Sequence, residues 1–447
     1  MTTQPRPVYV IGAGPGGLAA AAALRARGVR AVIVEKSDTV GASWRGHYDR
    51  LHLHTTRRLS ALPGLAIPRR FGRWVSRDDV VRYLEKYAEF HELEIVTGVE
   101  VTRIDRAPQP PTDTESETDT AASTTGNSKQ RRQRQKKHTK RNKHNSPDPG
   151  WLLHATGGRV LAAQAVVVAT GFNHTPSLPD WPGMDTYSGR LLHARDYRNP
   201  APFKGMDVLV VGAGNTGAEI AADLAAPGRG GPAPTRTRLA IRTTPHIVRR
   251  STLGWPAQRT GILVRRLPVR LVDRLGALSA KASVPDLTAY GLPRPATGLY
   301  SRAKQGAIPV QDVGLIDAVR SGRVEPVAAV AGFDGAEVIL ADGSRITPDA
   351  VIAATGYRRA LEGLVGHLDG VLDGRGRPRT HGSRALPQAP GLYFTGFTNP
   401  ISGMFREMAL DAEKISRALA RRLGSRTQRD RDESLPYTDL PRVDPLA

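Results

Sequence analysis

Two glycine-rich segments with the same spacing lie about two hundred residues apart in this chain of 447 residues. Each has the form G-x-G-x-x-G, follows a β-branched run and precedes an alanine-rich helical pattern: VYVIGAGPGGLAAAAAL and VLVVGAGNTGAEIAADL. In a dinucleotide-binding fold the first glycine makes the tight turn, the second lets backbone approach the pyrophosphate, and the third lets helix pack on strand. The glycines are Gly12, Gly14 and Gly17, then Gly212, Gly214 and Gly217. Two such segments predict that one polypeptide binds two dinucleotides, the architecture of a flavoprotein that takes electrons from a nicotinamide.

The composition narrows the class of flavoprotein and the kind of partner. The chain has no cysteine, which excludes disulfides, cysteine-ligated metals and the C-x-x-C pair of flavin-dependent disulfide reductases. Its formal net charge is +22. We interpret this charge as an arginine-rich solvated surface that attracts anionic small molecules, and not as a nucleic-acid site. The length predicts two or three domains.

The sequence gives no sign of a membrane segment. No stretch approaches the roughly 18–20 uninterrupted apolar residues of a membrane span. The apolar N-terminal run is a strand and turn without a basic leader or cleavage site, so it does not resemble a signal peptide. We therefore expect a cytoplasmic protein with no membrane partner. Separately, we expect no metal site. Its oligomeric state stays open, with a homodimer as one option.

The strand after the first helix ends in an acid. It reads AVIVEK, and Glu35 lies about twenty residues beyond the first turn, where a carboxylate accepts hydrogen bonds from ribose hydroxyls. An acid there repels a 2′-phosphate, so this site should hold FAD or NAD and not NADP. Lys36 follows, and Trp44 and Arg45 supply a ring and a cation that suit contact with flavin and pyrophosphate.

The second site differs at the corresponding position. Its strand, RLAI, ends without an acid and is followed by Arg242, Thr243 and Thr244. A guanidinium beside two hydroxyls suits a 2′-phosphate, which it binds through charge-assisted hydrogen bonds. The two sites together predict FAD at the first turn and NADPH at the second, where Asn215 and Thr216 lie within the turn.

Residues 107–149 form a different kind of sequence. They contain no large apolar residue, and they carry nine Lys/Arg and five Asp/Glu, a net charge of +4 that leaves +18 on the rest of the chain. Such a segment cannot bury enough surface to offset the entropy of ordering, so we predict a disordered basic insert. The segments LEIVTGVEVTRIDR before it and GWLLHATGGRVLAAQAVVVATG after it read as strands of one sheet, which places the insert at a hairpin tip.

A similar run of strands recurs later, and both copies end in ATG, at 169–171 and 354–356. The predicted fold class is therefore α/β, with two Rossmann-like dinucleotide-binding domains for FAD and NADPH, each with an antiparallel β meander. The predicted divisions are an FAD domain at 1–198 plus 315–425, the insert at 107–149, an NADPH domain at 199–314 that could extend to about 357, and a loose tail at 426–447.

Between the two sites lies YSGRLLHARDY, from Tyr187 to Tyr197. It fits F-x-G-x-x-x-H-x-x-x-[YF], the signature of class B flavin-dependent monooxygenases, with Tyr187 in place of the usual Phe. With both glycine turns and both ATG segments, the chain resembles that superfamily over nearly its whole length outside the insert. The strings ASWR, YDRLHLHT, IPVQDVG and GFTNPISGM resemble the plant-type indole-3-pyruvate monooxygenases in particular.

The chain departs from related groups at two positions. Baeyer–Villiger enzymes usually end the signature with Trp, where this chain has Tyr197. The amine-oxidising type carries Y-x-x-L-x-x-N near the flavin; Tyr48 and Leu51 match, but His54 takes the Asn position. The indole-3-pyruvate type resembles this chain in having His there. We therefore expect His54 to lie near the flavin as the candidate catalytic residue.

The resemblance implies a reaction. NADPH reduces FAD, the reduced flavin adds O₂ as a C4a-hydroperoxide, and one oxygen passes to a small organic substrate. An arylpyruvate such as indole-3-pyruvate, which then loses its carboxyl group, is one candidate substrate. N- or S-oxygenation or a Baeyer–Villiger reaction is the alternative, and an NADPH oxidase or flavin reductase without substrate oxygenation is a further one. A non-enzymatic binder that uses the insert as a nucleic-acid arm is disfavoured by the intact glycines.

The predicted cofactor-binding set combines the glycine turns, the residues after each second strand, the ATG segments and the signature histidine. It comprises Gly12, Gly14, Gly17, Glu35, Lys36, Trp44, Arg45, Thr170, Gly171, His193, Gly212, Gly214, Asn215, Thr216, Gly217, Arg242, Thr243, Thr355, Gly356 and Gly396.

Overall fold

The computed structural model describes residues 6–108, 149–226, 236–252, 254–264 and 267–433, with side chains described as far as residue 424. Its strands are β1 (Val8–Ile11), β2 (Ala31–Val34), β3 (Glu94–Val96), β4 (Val101–Arg106), β5 (Trp151–Ala155), β6 (Arg159–Ala163), β7 (Ala165–Val168), β8 (Thr175–Pro176), β9 (Arg190–His193), β10 (Asp207–Val211), β11 (Arg236–Ile241), β12 (Ile247–Arg249), β13 (Ser251–Thr252), β14 (Trp255–Pro256), β15 (Val310–Asp312), β16 (Val324–Ala328), β17 (Val330–Asp334), β18 (Glu337–Leu340), β19 (Arg345–Ile346), β20 (Ala350–Ala353), β21 (Tyr357–Arg358) and β22 (Leu392–Phe394). Its α-helices are α1 (Pro15–Arg25), α2 (Ala42–Arg45), α3 (Arg77–Phe90), α4 (Asn215–Leu224), α5 (Ala257–Leu263), α6 (Val269–Ser283), α7 (Leu299–Lys304), α8 (Leu315–Arg320), α9 (Glu362–Val365) and α10 (Met404–Glu433).

The first glycine turn lies at the edge of a five-stranded parallel sheet with the order β22-β7-β1-β2-β3. Its central strands are β-branched and buried on both faces, as parallel sheets require. Helix α1 connects β1 to β2 and packs against α10. The alanines of α1 are all buried, and their small side chains allow this close approach on several faces of the helix.

The second glycine turn lies at the edge of a matching parallel sheet with the order β16-β11-β10-β20-β9. Helix α4 connects β10 towards β11, as α1 does in the first sheet. Two buried apolar clusters cover the faces of each sheet. The prediction of an α/β fold with two Rossmann-like units is confirmed.

An antiparallel meander accompanies each sheet. The first has the order β4-β5-β6 and precedes β7, and the second has the order β17-β18-β19 and precedes β20. The prediction that all strands around the insert belong to one sheet is wrong. Strand β3 pairs with β2, and β7 pairs with β22, both in the parallel sheet. The sequence of a short apolar strand does not specify its partner strand.

The strand pairing also moves the division between the two units. Strands β16 and β20 lie after residue 314 yet pair with β11 and β10, and β9 lies before residue 199 yet pairs with β20. The pairings of β16 and β20 agree with the alternative end of the second unit at about 357, and β9 joins the second sheet although the predicted divisions put it in the first unit. A Rossmann sheet needs strands on both sides of its first strand, and the chain supplies them from both flanks of the predicted domain.

Two predicted segments lie partly outside the described residues. Of the insert predicted at 107–149, residues 109–148 lie outside them, as do residues 434–447 of the predicted tail. The backbone of the tail is helical as far as Glu433, where α10 ends. Among the helices within the described ranges, none is long and apolar enough to cross a membrane.

We expect the fold to tolerate removal of the insert. Strands β4 and β5 are antiparallel neighbours, and the Ala107 N–H donates to the Gly150 carbonyl at 3.1 Å, so the hairpin is closed on both sides of the insert. Replacing residues 108–149 by Asn-Gly, a two-residue hairpin turn, should leave the melting temperature and the bound FAD unchanged or slightly raised, since a shorter loop costs less closure entropy. Thermal melts with the flavin absorbance test this. A lower melting temperature or loss of flavin would contradict it.

Candidate functional site

The first glycine of each turn has a backbone that other residues rarely adopt. Gly12 has φ +104° and Gly212 has φ +108°. A β-carbon at Gly12 would lie 2.7 Å from the Ala169 carbonyl oxygen, and one at Gly212 would lie 2.6 Å from that of Ala354. Each ATG segment therefore runs directly against its own glycine turn, which explains why the two motifs occur together.

The third glycine of each turn holds the helix against the turn. A β-carbon at Gly17 would lie 1.9 Å from the Gly12 carbonyl oxygen, and one at Gly217 would lie 1.9 Å from that of Gly212. No side chain fits there without a backbone shift. The resulting contact fixes the first turn of α1 and of α4 relative to the strand that precedes it.

The middle glycines face open space. A β-carbon at Gly14 or Gly214 would meet nothing within 4 Å, and each residue is the N-cap of its helix. Free backbone N–H groups and the positive end of the helix dipole lie at this position. The two turns therefore have the form that a dinucleotide pyrophosphate requires: closed towards the protein at the first and third glycines, and open at the second.

The carboxylate of Glu35 is held beside the first turn. One oxygen accepts the Ala13 N–H at 2.6 Å and the other accepts the Ser37 N–H at 2.9 Å. These bonds fix the acid at the end of β2, where a ribose would lie; its ribose contact remains a prediction. Lys36 Nζ lies 3.1 Å from His174 Nε2 on the exposed side.

Two buried hydroxyls near the first turn have no hydrogen-bond partner among the described residues. Thr170 Oγ1 follows the end of β7, and Thr395 Oγ1 follows the end of β22, the neighbouring strand. Gly171 and Gly396, the next residues, have φ +95° and φ +82°. A β-carbon at Gly171 would meet nothing within 4 Å. Unsatisfied hydroxyls next to open backbone fit a polar ligand lying across these strand ends, as a dinucleotide does. The sequence analysis included Thr170 but missed Thr395.

Trp44 and Arg45 lie in the short helix α2. The Trp44 ring is edge-on to Phe405 and to His47, each with ring centroids 5.5 Å apart. Burial lowers the pKa of His47 to about 4. Arg45 forms an ion pair with Glu85. The predicted contacts of Trp44 and Arg45 with a cofactor remain predictions.

At the second site, Arg242 and Thr243 are exposed directly after β11, and Arg242 has no ion-pair partner among the described residues. Thr216 lies partly buried in the first turn of α4. The Asn215 amide accepts the Gln311 N–H at 2.7 Å and donates to the Pro309 carbonyl at 3.2 Å. Asn215 therefore positions the start of β15 beside the turn.

His193, in the signature, supports the second ATG segment. Its Nδ1 accepts the Arg195 N–H at 3.0 Å, so Nε2 carries the proton and donates to the Gly356 carbonyl at 3.1 Å. Burial lowers its pKa. Both ring nitrogens therefore have backbone partners, and the predicted contact of His193 with a cofactor stays a prediction. The Thr355 hydroxyl likewise donates to the Ser177 carbonyl at 2.5 Å.

The segment from Trp44 to Thr56 joins the two units. Tyr48 and Leu51 belong to the apolar core of the second sheet although they follow the first turn in sequence. Arg50 donates to the Val313 carbonyl at 2.8 Å, and the Thr56 N–H donates to the Gln258 side chain at 3.0 Å. The segment is therefore a bridge that touches both dinucleotide folds.

A buried acid lies at the centre of this bridge. Glu219, on α4, is 2% exposed; it accepts the Tyr48 hydroxyl at 3.0 Å, and its other oxygen lies 2.9 Å from His54 Nε2. Burial and the neighbouring Glu219 carboxylate raise the pKa of Tyr48 well above its usual value, so the phenol stays protonated. His54 Nδ1 is buried and has no hydrogen-bond partner in the part of the chain that the structure describes. The arrangement places the Nε2 edge of His54 against Glu219 and its Nδ1 edge away from any described polar partner.

Sequence reasoning missed Glu219. Its signal is an acid within the otherwise apolar pattern of the second helix, where the neighbouring Ala218 and Ile220 are also buried. A charged residue on such a face needs a partner. Tyr48 and His54, about 170 residues away in sequence, become its partners only through the fold.

Two family models match this chain. The one described as flavin-binding monooxygenase-like matches residues 157–369, and the one described as pyridine nucleotide-disulphide oxidoreductase matches residues 6–253. An indole-3-pyruvate monooxygenase from Oryza sativa subsp. japonica is 34% identical over 87% of this chain and 86% of the relative. The chain belongs to the flavin-dependent monooxygenase family. A probable indole-3-pyruvate monooxygenase from Arabidopsis thaliana is 31% identical to this monooxygenase over 87% of the chain and 84% of the relative.

Solved structures share the fold of this monooxygenase. A double mutant of a flavin monooxygenase from Stenotrophomonas maltophilia superposes with a TM-score of 0.66 at 24% identity, over 94% of this chain and 100% of that one. Cyclohexanone monooxygenase superposes with a TM-score of 0.63 at 19% identity, over 94% and 88%. A bacillithiol disulfide reductase from Bacillus cereus also shares the fold, with a TM-score of 0.60 at 16% identity over 94% and 100%.

The predicted family and cofactor classes are thereby confirmed: the enzyme is a flavin-dependent monooxygenase that uses FAD and a nicotinamide dinucleotide. The glycine turns, the buried Thr170 and Thr395 hydroxyls and the Glu35 carboxylate are the groups that fit FAD at the first site.

We expect alanine at the third glycine to damage each site separately. Gly17→Ala forces a shift against the Gly12 carbonyl and should lower FAD affinity by at least about tenfold. Gly217→Ala should keep the flavin but slow its reduction by NADPH by a similar factor. Flavin content after dialysis and stopped-flow bleaching of the flavin measure the two effects.

Gly363→Ala is the matched control, because a β-carbon there meets nothing within 4 Å and its φ is not positive. It should change neither readout. Loss of flavin from the Gly217 variant with normal flavin in the Gly17 variant would reverse the assignment of the two sites.

Proposed function

We propose that this enzyme is an NADPH-dependent monooxygenase that oxygenates an arylpyruvate such as indole-3-pyruvate, with loss of its carboxyl group. The observation that carries the proposal is the 34% identity, over most of both chains, to a relative named for that reaction. A second support is His54, at the position where the resembling plant-type enzymes also have histidine.

The preference for NADPH rests on the contrast between the two strand ends. Glu35 follows β2 at the first site, whereas Arg242 and Thr243 follow β11 at the second. A free guanidinium beside a hydroxyl binds a 2′-phosphate, and a carboxylate repels one. The arginine-rich surface, with a net charge of +22, further attracts an anionic cofactor and an anionic keto acid.

The flavin, when bound, supplies the electron transfer between the nicotinamide and dioxygen. The chain supplies position, exclusion of water and hydrogen bonds. His54 Nε2 lies 2.9 Å from Glu219 Oε1, and Nδ1 of the same ring has no hydrogen-bond partner among the described residues. We infer that Nε2 carries the ring proton and faces the Glu219 carboxylate, which leaves the lone pair at Nδ1. In this proposal His54 Nδ1 accepts a hydrogen bond from substrate or cofactor, and Glu219 acts as a positioning residue that fixes the tautomer.

Arg242→Ala tests the cofactor preference. Loss of a charged hydrogen-bond donor should raise the KM for NADPH by about ten- to a hundredfold and change that for NADH by less than about twofold. Arg236→Ala is the matched control, because Arg236 lies at the other end of the same strand and pairs with Glu325 at 3.3 Å. Equal effects of Arg242→Ala on both cofactors would refute a 2′-phosphate contact.

Glu219→Gln tests the positioning role. An amide side chain can donate or accept a hydrogen bond, so it does not favour one tautomer of His54 as a carboxylate does. We expect the product formed per NADPH consumed to fall by at least about fivefold. The pH profile of this coupling should shift, and the flavin content should stay normal. Tyr48→Phe is the control, since it removes the other hydrogen bond to Glu219 and leaves His54 in place. Unchanged coupling in the Gln variant, or the same pH profile in both variants, would contradict the role.

A substrate panel tests the reaction itself. Indole-3-pyruvate, phenylpyruvate, a tertiary amine and a thioether would be supplied in turn, with NADPH consumption, peroxide and oxygenated product followed together. The proposal predicts a decarboxylated product from the keto acids and little peroxide. Products only from the amine or thioether, or peroxide alone, would replace it by heteroatom oxygenation or by an oxidase.

A further inference from the structure

Helix α6 carries an exposed row of leucines. Leu271, Leu275 and Leu278 are 47%, 52% and 66% exposed. Their spacing of four and three residues places them on one face of the helix. Exposed single leucines are ordinary, but three in a row on one helix form an apolar stripe. We name these three residues the leucine stripe.

The opposite face of α6 is anchored, so the leucine stripe cannot turn inward. Val272 is 3% exposed. Asp273 accepts the Ser301 hydroxyl at 2.6 Å and the Tyr300 N–H at 2.7 Å, at the start of α7. Rotating the helix to bury the leucines would break these bonds and expose Val272. The stripe is therefore a fixed outward surface.

Basic side chains lie along one side of the stripe. Arg270, Arg274 and Lys281 are exposed, and the helical period of 3.6 residues places all three on the outward face next to the leucines. None of them forms an ion pair with an acid in the described ranges. The outward face is thus half apolar and half cationic, with no acid of its own.

Apolar exposure continues in the segment before α6. Trp255, Leu263 and Leu267 are 47%, 67% and 45% exposed. Leucines beside a cationic row on one helix are the composition of helices that lie in the interface of a membrane. With 15 residues, α6 is too short to span a bilayer but long enough to lie on it.

Although the sequence alone predicts no membrane partner, we propose that α6 docks this monooxygenase on an anionic lipid surface. The leucine stripe enters the boundary between headgroups and acyl chains, and Arg270, Arg274 and Lys281 contact the phosphates. Charge favours this occupant over a second copy of the chain, because each copy carries +22 and would bring its cationic row towards another. Binding through one helix is peripheral and reversible.

Vesicle flotation of the full chain tests the proposal. Vesicles of phosphatidylcholine are compared with vesicles in which about a third of the lipid is phosphatidylglycerol. We expect binding to the anionic vesicles only. The triple variant Leu271→Ser, Leu275→Ser and Leu278→Ser should bind at least about tenfold less, and neutralising the three basic residues to Gln should lower binding by about a hundredfold. Both variants should keep bound FAD and NADPH consumption.

A matched control removes apolar surface elsewhere. Val160→Ser and Leu178→Ser change side chains that are 54% and 39% exposed outside this helix, and they should leave flotation unchanged. Failure of the wild-type chain to float with anionic vesicles would overturn the proposal. A change from dimer to monomer in the leucine variant, without vesicle binding by the wild type, would assign the stripe to a second copy instead. Equal loss in the control variant would show that the binding is nonspecific.

Discussion

The contact between the third glycine and the first holds each site together. At Gly17 and at Gly217 the space for a β-carbon is already filled by a backbone carbonyl oxygen 1.9 Å away. This closeness brings the N-terminus of α1 or α4 to the end of its strand and leaves the middle glycine open. Everything else at the sites is arranged around these two fixed points, including the ATG segments that cross the turns.

The chain contains two copies of one dinucleotide-binding unit, and we expect each copy to bind a different nucleotide. The two sheets have the same strand arrangement and the same helix at the same place, yet the second strand is followed by Glu35 in one and by Arg242 in the other. In our proposal this difference in charge directs the 2′-phosphorylated nicotinamide dinucleotide to the second site and FAD to the first.

The buried Glu219 connects these sites. A carboxylate that is 2% exposed needs polar partners to offset the free-energy cost of its burial. Tyr48 donates a hydrogen bond to it, and His54 approaches it closely. Both residues lie on a segment that belongs to the first unit in sequence. The pairing therefore acts across the junction: it stabilises the bridge between the units and, in our proposal, sets the tautomer of the histidine. The same segment supplies Leu51 to the core of the second sheet, so apolar packing and the polar contact support one geometry.

The sequence by itself determined the two turns, the helices after them, the meanders and the family. It also determined the contrast between the acid after the second strand of one unit and the arginine after that of the other. Each of these features depends on residues within a short stretch of chain. Only the tertiary structure decided which strands complete the second sheet, and with them the choice between an end at 314 and one at about 357. It also decided that His193 uses both ring nitrogens on backbone, that Thr395 stands beside Thr170, and that Glu219 meets His54. These outcomes depend on contacts between residues distant in sequence, whose partners a local pattern does not specify. The outward face of α6 follows the same rule, because the exposure of its leucines depends on the anchoring of Asp273 to α7, which is distant in sequence.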